Sequence, residues 1–336
     1  MNTDFIISSK NIQHFYEQYN QNNIKFNDLL KIIKKDKVKM NKILTLLGIN
    51  ITIFNELLNI IKITYCGNDT KFIYCHEYTL ILILYVKNNL NNWSVLQSLT
   101  ICHHNYKITY NQFLRWSKKG IFEQSFKTNV LNNIEFINDN IEDSVLIDAT
   151  SISNKYGSEN VTINPEYKKK NVTKISVITT PNKFIIGVEK FKLYTKIIQY
   201  GKKEKEINTF EHDSKTILTT INKINKNVIF SNIIGDGGYK TNTEIHMNKK
   251  VLKVITPDRK NQKNNLIKPE DKQKLKIRYK IENVFGFIKM NNERIMLRKD
   301  RKMHTFMSWF YIACIEHNLK IEQSSKISKK VVKFTI

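Results

Sequence analysis

The stretch Ser144-Val-Leu-Ile-Asp-Ala-Thr150, "SVLIDAT", marks the point at which the sequence changes from a helical to a stranded pattern. A short apolar run that ends on an aspartate is typical of a buried strand with a polar residue at its carboxyl end. Comparable runs follow in "TKISVITT", "KFIIGVEKF" and "VLKVITP", and "NVIFSNIIGDGGY" leads into Asp236. With the helical segments between and after them, these runs predict an α/β domain over residues 140–325.

The sequence before this domain is helical. Residues 1–65 repeat apolar residues at helical spacing, which predicts an N-terminal helical region. Residues 66–135 contain an apolar helix around Leu80–Val86 and end in "YNQFLRWSKKGIFEQSF". Short helices joined by polar turns favour a helix-turn-helix-like DNA-binding unit, and a plain helical bundle is the alternative. The basic residues that we expect to contact DNA there are Arg115, Lys118 and Lys119.

Composition points to a polyanionic partner. The 336 residues include 55 Lys and Arg against 30 Asp and Glu, a formal net charge of +25, which favours nucleic acid. The apolar run that begins at Leu80 is too short to span a bilayer, so we expect no membrane segment there. The first residues lack a long apolar core, and we therefore expect an intracellular protein with reduced thiols. We expect residues 326–336 to form a basic C-terminal tail.

Three carboxylates are candidates for one site. Asp148 and Asp236 follow apolar strands, and strands of an open sheet bring such ends together. Glu282 lies in the amphipathic helix "KIENVFGFIKM", four residues after Arg278 and seven before Lys289. Gathered carboxylates repel one another unless divalent cations neutralise them, and oxygen ligands favour magnesium or manganese. The alternatives are a surface salt-bridge ladder for Glu282 and ordinary turn formation for the aspartates.

This ordered set resembles the DDE transposases of bacterial-type insertion sequences, which have a ribonuclease-H-like catalytic core. The matching blocks are "LIDAT", "GDGGYKT" and the R-x3-E-x6-K spacing from Arg278 to Lys289. "EHDSKTI" and "SWFYIACIEHNLK" resemble further family segments, so the likeness covers about residues 75–320. One departure is Leu275, because the family commonly has a tyrosine three residues before the arginine.

The resemblance implies a fold, a reaction and a cofactor. It implies a ribonuclease-H-like mixed sheet flanked by helices, preceded by an all-helical DNA-binding region. Asp148, Asp236 and Glu282 would hold Mg²⁺ or Mn²⁺, two ions per site, for strand cleavage and strand transfer at the ends of the enzyme's own element. We expect their oxygens to converge within a few ångströms, although repulsion can draw the glutamate helix back. A nuclease without strand transfer and an inactive, co-opted DNA-binding protein are the alternatives.

The resemblance also implies partners. We expect double-stranded DNA, both element ends and target, and a homodimer assembled on it, in a prokaryotic cytoplasm, a nucleus or a viral factory. Arg278 and Lys289 would contact phosphates near the scissile bond. A basic run that includes Lys260, Lys263 and Lys276 would follow the DNA backbone. For the "EHDSKTI" segment, a helix cap at Asp213 and a solvated His212 are at least as plausible as a catalytic role.

Overall fold

The computed structural model describes residues 37–64, 76–88, 93, 96, 106–163, 171–200, 203–257, 267–290 and 292–334. The chain divides into two compact units, Met1–Ser125 and Phe126–Ile336. The finer boundaries predicted near residues 65, 135 and 325 stay predictions. Across the described ranges, none of the helices has the length and hydrophobicity needed to cross a lipid bilayer.

The first unit is helical. Its described helices are α1 (Lys37–Leu46), α2 (Ile51–Thr64), α3 (His76–Asn88), α4 (Tyr106–Lys118) and the beginning of α5 (Ile121–Asn132). The predicted helix around Leu80–Val86 is confirmed as part of α3 and is buried throughout that stretch. Phe113, Trp116 and Phe122 pack together on the inner side of α4 and α5.

The surface of α4 leaves the predicted basic residues accessible. Arg115, Lys118 and Lys119 are exposed on the side opposite the buried aromatic residues. The segments 65–75 and 97–105 lie outside the described residues, so the helix-turn-helix arrangement stays a prediction.

The second unit contains a mixed sheet, a separate two-stranded ribbon and flanking helices. Its strands are β1 (Ser144–Asn154), β2 (Thr162–Ile163), β3 (Asn171–Thr179), β4 (Ile185–Lys190), β5 (Leu193–Tyr200), β6 (Lys203–Phe210), β7 (Asn232–Ile234), β8 (Ile245–Met247), β9 (Lys250–Ile255) and β10 (Leu297–Arg298). Its helices after α5 are α6 (Ile134–Asp139), α7 (Asp213–Ile221), α8 (Pro269–Leu275), α9 (Tyr279–Met290), α10 (Glu293–Met296) and α11 (Met303–Phe334).

The strand order of the sheet is that of a ribonuclease-H-like fold. Strands pair in the order β2-β3-β1-β7-β9-β8, with β4 also on β3 and β10 also on β1. β3 is antiparallel to both of its neighbours β1 and β4, whereas β1, β7 and β9 run parallel. Three antiparallel strands joined to two parallel ones, with helices around them, confirm the predicted fold class.

β1 is longer than the sequence predicts. We expected a strand ending on Asp148, but β1 continues to Asn154 because β3 pairs with it as far as Ser153. Asp148 therefore lies in the middle of its strand. The β5–β6 ribbon was not predicted; its strands pair with each other outside the main sheet.

The last helix, α11, closes the core beside the sheet. Phe306, Trp309 and Phe310 are fully buried, as expected for an apolar helix face against a sheet. The Asn318 side chain also bonds to both backbone groups of Ile185 on β4, accepting from its N–H at 2.7 Å and donating to its carbonyl at 2.9 Å. The predicted aromatic helix is thus present and continues to Phe334, through most of the segment predicted as a tail.

A buried arginine joins β10 to the loop after β1. Arg298 is fully buried and donates to the carbonyls of Glu159, Asp300 and Arg301 and to the Thr173 hydroxyl at 2.6–3.2 Å. Burial lowers the pKa of this guanidinium. Its planar fork lets one side chain donate to four acceptors from separate segments of the chain.

Replacing Arg298 with methionine should lower the free energy of unfolding by about 3 kcal/mol, because it removes four hydrogen bonds from a charged donor at once. Arg301→Met is the matched control, since Arg301 is exposed and should change stability by less than about 0.5 kcal/mol. Urea unfolding monitored by circular dichroism measures both. Equal stability of the two variants would contradict the role assigned to Arg298.

Candidate active site

The register between β1 and β7 brings Asp148 and Asp236 side by side. Leu146 pairs with Ile234 in the parallel ladder, and each aspartate lies two residues beyond this pair. Asp236 keeps an extended backbone, with φ −77° and ψ 176°, so both side chains leave the same face. The site thus forms at the carboxyl edge of β7, where β1 continues and β7 ends.

Asp236 is held by the turn that it begins. It is the N-cap of a short 3₁₀ turn, Gly237–Tyr239, and its Oδ1 accepts the Gly238 N–H at 2.9 Å. Gly235 is needed for close packing, because a Cβ there would lie 3.0 Å from Ile147 and 3.1 Å from Tyr239. The ring of Tyr239 is completely buried beneath the turn.

Glu282 comes from the first turn of α9. Ile281, Val284 and Ile288 bury the inner face of this helix, which leaves Glu282 exposed. Its Oε1 lies 3.2 Å from Nη2 of Arg278, one helical turn earlier. Of the two ion pairs in the predicted salt-bridge ladder, the one between Arg278 and Glu282 is therefore present. An exposed pair at this spacing contributes only about 0.2–0.5 kcal/mol to stability.

Asp148 interacts electrostatically with the other two carboxylates, Asp236 and Glu282. The pKa of Asp148 is raised from 3.8 to about 6. Burial is the largest cause, and the charges of Asp236 and Glu282 add to it, whereas the bond from the Ala149 N–H and the charge of Arg278 lower the pKa. The Ala149 N–H donates to Asp148 Oδ1 at 2.7 Å. Three residues predicted from separate elements thus lie within electrostatic reach of one another.

The three carboxylates do not close into a ligand cage. Within the described part of the chain, no group of three or more His, Cys, Asp or Glu side chains is close enough to hold a metal ion. The expected convergence is therefore partial, as like charges repel and Glu282 pairs with Arg278. The donor set still fits a hard divalent cation, since it offers only carboxylate oxygens and Asp148 carries an unfavourable charge that a cation would offset.

Lys289 lies on the sheet side of α9. Its Nζ donates to the Ser151 carbonyl of β1 at 3.2 Å, and burial lowers the pKa of the ammonium. Lys289, the other cation of the predicted salt-bridge ladder, therefore contacts β1. This contact links the helix that carries Glu282 to the strand that carries Asp148.

The remaining predicted DNA-binding residues are distributed differently. Lys276 is exposed at the end of α8, shortly before Arg278. Lys260 and Lys263 lie outside the described residues. Arg115, Lys118 and Lys119 belong to the first unit and were described with it.

The "EHDSKTI" segment differs from the predicted cap. His212, not Asp213, is the N-cap of α7, and its side chain accepts the Ser214 N–H. Asp213 instead forms an ion pair with Lys174 of β3. Sequence reasoning missed Lys174; the available signal was a lone charge inside the apolar strand "TKISVITT".

Asp148→Asn should stabilise the protein above pH 6 in the presence of EDTA. Asp148 binds its proton more tightly in the folded protein, where its pKa is about 6, than in the unfolded chain, where it is near 3.8. The free energy of unfolding therefore falls as pH rises from about 4 to 6. Above pH 6 the charge costs up to roughly 3 kcal/mol, which asparagine avoids while still accepting the Ala149 N–H. Thermal unfolding at pH 4 and 7.5 measures the difference.

Asp139→Asn serves as the control, because Asp139 is exposed at the end of α6. The control should shift stability by no more than about 0.5 kcal/mol at either pH. A gain for Asp148→Asn that is equal at pH 4 and 7.5 would contradict the burial of this charge.

Comparison with known proteins gives one family match. Residues 209–315 match the model of the transposase DDE domain, a range that includes Asp236 and Glu282 and begins after Asp148. No curated protein matches the chain. A structure described as a cryo-EM piggyBac transposase synaptic complex with hairpin DNA aligns at 12% identity and a TM-score of 0.45, covering 83% of this chain and 73% of that chain. Over residues 209–315, this chain is therefore similar to the transposase DDE domain.

Proposed function

We propose that Asp148, Asp236 and Glu282 are the catalytic carboxylates of a DNA transposase that cleaves and joins strands at the ends of its own element. The observation that carries the proposal is the register of β1 and β7, which places Asp148 and Asp236 two residues beyond the same pair, Leu146 and Ile234. The raised pKa of Asp148 agrees with it, since burial is the main cause and the charges of Asp236 and Glu282 add to it. Three acidic residues from β1, the β7 turn and α9 have no structural need to be neighbours. Their proximity supports a shared chemical role.

We propose Mg²⁺ or Mn²⁺, two ions per site, as the cofactor, because the candidate ligands are all carboxylate oxygens. When bound, such ions would activate an attacking oxygen and stabilise a leaving oxygen as Lewis acids. Asp148 and Asp236 would hold them from rigid positions, because one lies within a sheet strand and the other caps a turn. Glu282 would complete the set from α9. Its partner Arg278 is then available for a DNA phosphate beside the reacting bond.

A basic surface leads toward this site. Lys272 and Lys276 are exposed in and after α8, the helix that precedes α9. Lys253 is not counted among the lysines offered to DNA, because its Nζ donates to both carboxylate oxygens of Asp271 at 2.7 Å. We propose that the exposed lysines, with Lys260 and Lys263, follow the DNA backbone and that two chains act together on two element ends.

Glu282→Gln should reduce metal-dependent strand cleavage by orders of magnitude, because the amide keeps the shape but removes a charge and an acceptor. The fold and DNA binding should persist, since only a weak exposed ion pair is removed. The measurement uses a duplex that carries the inverted repeats flanking the gene, with cleaved and joined products resolved on a gel. Joined products separate a transposase from a simple nuclease.

Glu270→Gln is the matched control for this experiment. Glu270 is exposed in α8, and we place it outside the carboxylate set. It should leave cleavage within about twofold of wild type. Near-wild-type cleavage by Glu282→Gln, with magnesium present, would refute the metal-ligand role.

A double substitution of Lys272 and Lys276 by glutamine should weaken DNA binding for all sequences. It should reduce the slope of log K against log salt concentration by about 0.9 for each DNA phosphate that the variant no longer neutralises. The control removes the same charge at Lys183 and Lys226, in the turns that precede β4 and β7 and so at the opposite end of the sheet from Asp236. Equal slopes for the two double variants would place DNA elsewhere.

A further inference from the structure

An ion pair lies next to the turn that carries Asp236. Lys174 of β3 and Asp213, the first residue of α7, have side chains that are only 24% and 21% exposed. The ammonium of Lys174 also lies 4.5 Å from the centre of the Phe191 ring. Partial burial and the aromatic contact restrict this pair more than a surface pair would be restricted.

Asp213 reaches the Asp236 turn at Gly238. A Cβ on Gly238 would lie 2.7 Å from Asp213 Oδ2 and 3.0 Å from Asp236 Oδ1. The two carboxylates thus contact the same glycine from different elements. One oxygen of Asp213 faces Lys174, and the other faces the turn.

These contacts form a chain from the sheet to the site. Lys174 pairs across the antiparallel ladder with Ser151, whose carbonyl accepts from Lys289 of α9. Asp213 lies between Lys174 and Gly238, and Gly238 donates to Asp236. β3 therefore supports the Asp236 turn from one side, while the same edge of β1 and β3 holds the glutamate helix.

The ion pair with Lys174 offsets the negative charge of Asp213 beside the other carboxylates. The charges of Asp213, Asp148 and Asp236 all reach Tyr239, which is buried beneath the turn. A fourth uncompensated carboxylate there would push the Asp236 turn away by repulsion. Lys174 neutralises Asp213 and leaves it able to support the turn through packing.

We propose that Lys174 and Asp213 are positioning residues, which together hold the Asp236 turn beside Asp148 and so favour the binding of a divalent cation by these two carboxylates. The inference rests on the proposed function, because it assumes that Asp148 and Asp236 share a cation. Residues that orient ligands in this way typically alter metal affinity by about 10–100-fold when they are removed.

The test measures Mn²⁺ affinity in the absence of DNA, by electron paramagnetic resonance of the free ion. The principal variant combines Lys174→Met with Asp213→Asn, which removes the pair without changing net charge. We expect its dissociation constant for Mn²⁺ to rise at least tenfold. The matched control, Lys302→Met with Glu159→Gln, removes another ion pair of 2.8 Å and should leave Mn²⁺ affinity within twofold.

Two adjacent glycines provide a second, charge-neutral comparison. Gly238→Ala forces the carboxylates of Asp213 and Asp236 to shift, whereas a Cβ on Gly237 would lie 3.9 Å from the Pro257 carbonyl oxygen, an ordinary separation. Gly238→Ala should therefore weaken Mn²⁺ binding at least tenfold, and Gly237→Ala should not. This comparison holds even if the double variant fails to fold, and thermal unfolding checks the fold of each protein.

The outcomes separate this inference from the proposed function. If wild type binds Mn²⁺, Asp148→Asn abolishes binding, and both the double variant and Gly238→Ala bind like wild type, the positioning role is overturned and the proposed function stands. If wild type and Asp148→Asn are equally unable to bind Mn²⁺, both ideas fail. Weakened binding by the double variant and by Gly238→Ala, with both controls unchanged, supports the inference.

Discussion

The pairing of Leu146 with Ile234 is the constraint on which the site depends. It fixes Asp148 and Asp236 at equivalent positions on neighbouring parallel strands, and the period of a strand directs both carboxylates to one face. A slip of one residue would send one aspartate to the opposite face. Both faces of the strands are buried around the pair, as Val145, Ile147 and Ile233 show, so such a slip would have to repack the close-packed side chains on both sides of the sheet.

Placing like charges together works against stability, and the fold compensates locally. Asp236 accepts a backbone N–H from its own turn, and Asp148 accepts one from Ala149. Neither bond cancels the effect of burial on Asp148, whose pKa remains near 6. The site therefore retains an electrostatic strain that a cation would relieve, which is how a protein gains affinity for a ligand at a cost to its own stability.

The sequence predicted the fold class and the acidic residues that become neighbours, because apolar strands, aspartates after them and the spacing of α9 are local signals. The length of β1 is not a local property: the strand continues past Asp148 because β3 pairs with it up to Ser153 and β10 pairs with Ser153 and Asn154. The β5–β6 ribbon escaped prediction since its residues pair with each other and not with the core. Lys174 and Asp213 are 39 residues apart, and only the packing of α7 on the sheet makes them partners.

The two interpretations of Glu282 are compatible once energies are compared. Its pair with Arg278 is real, but the Glu282 side chain is 56% exposed, and such a pair contributes only about half a kcal/mol. A carboxylate held so weakly can change partners when a stronger one is available. By contrast, the buried face of α9 and the bond from Lys289 to β1 fix the helix itself. The helix thus sets where Glu282 can reach, and the weak ion pair leaves it free to reach there.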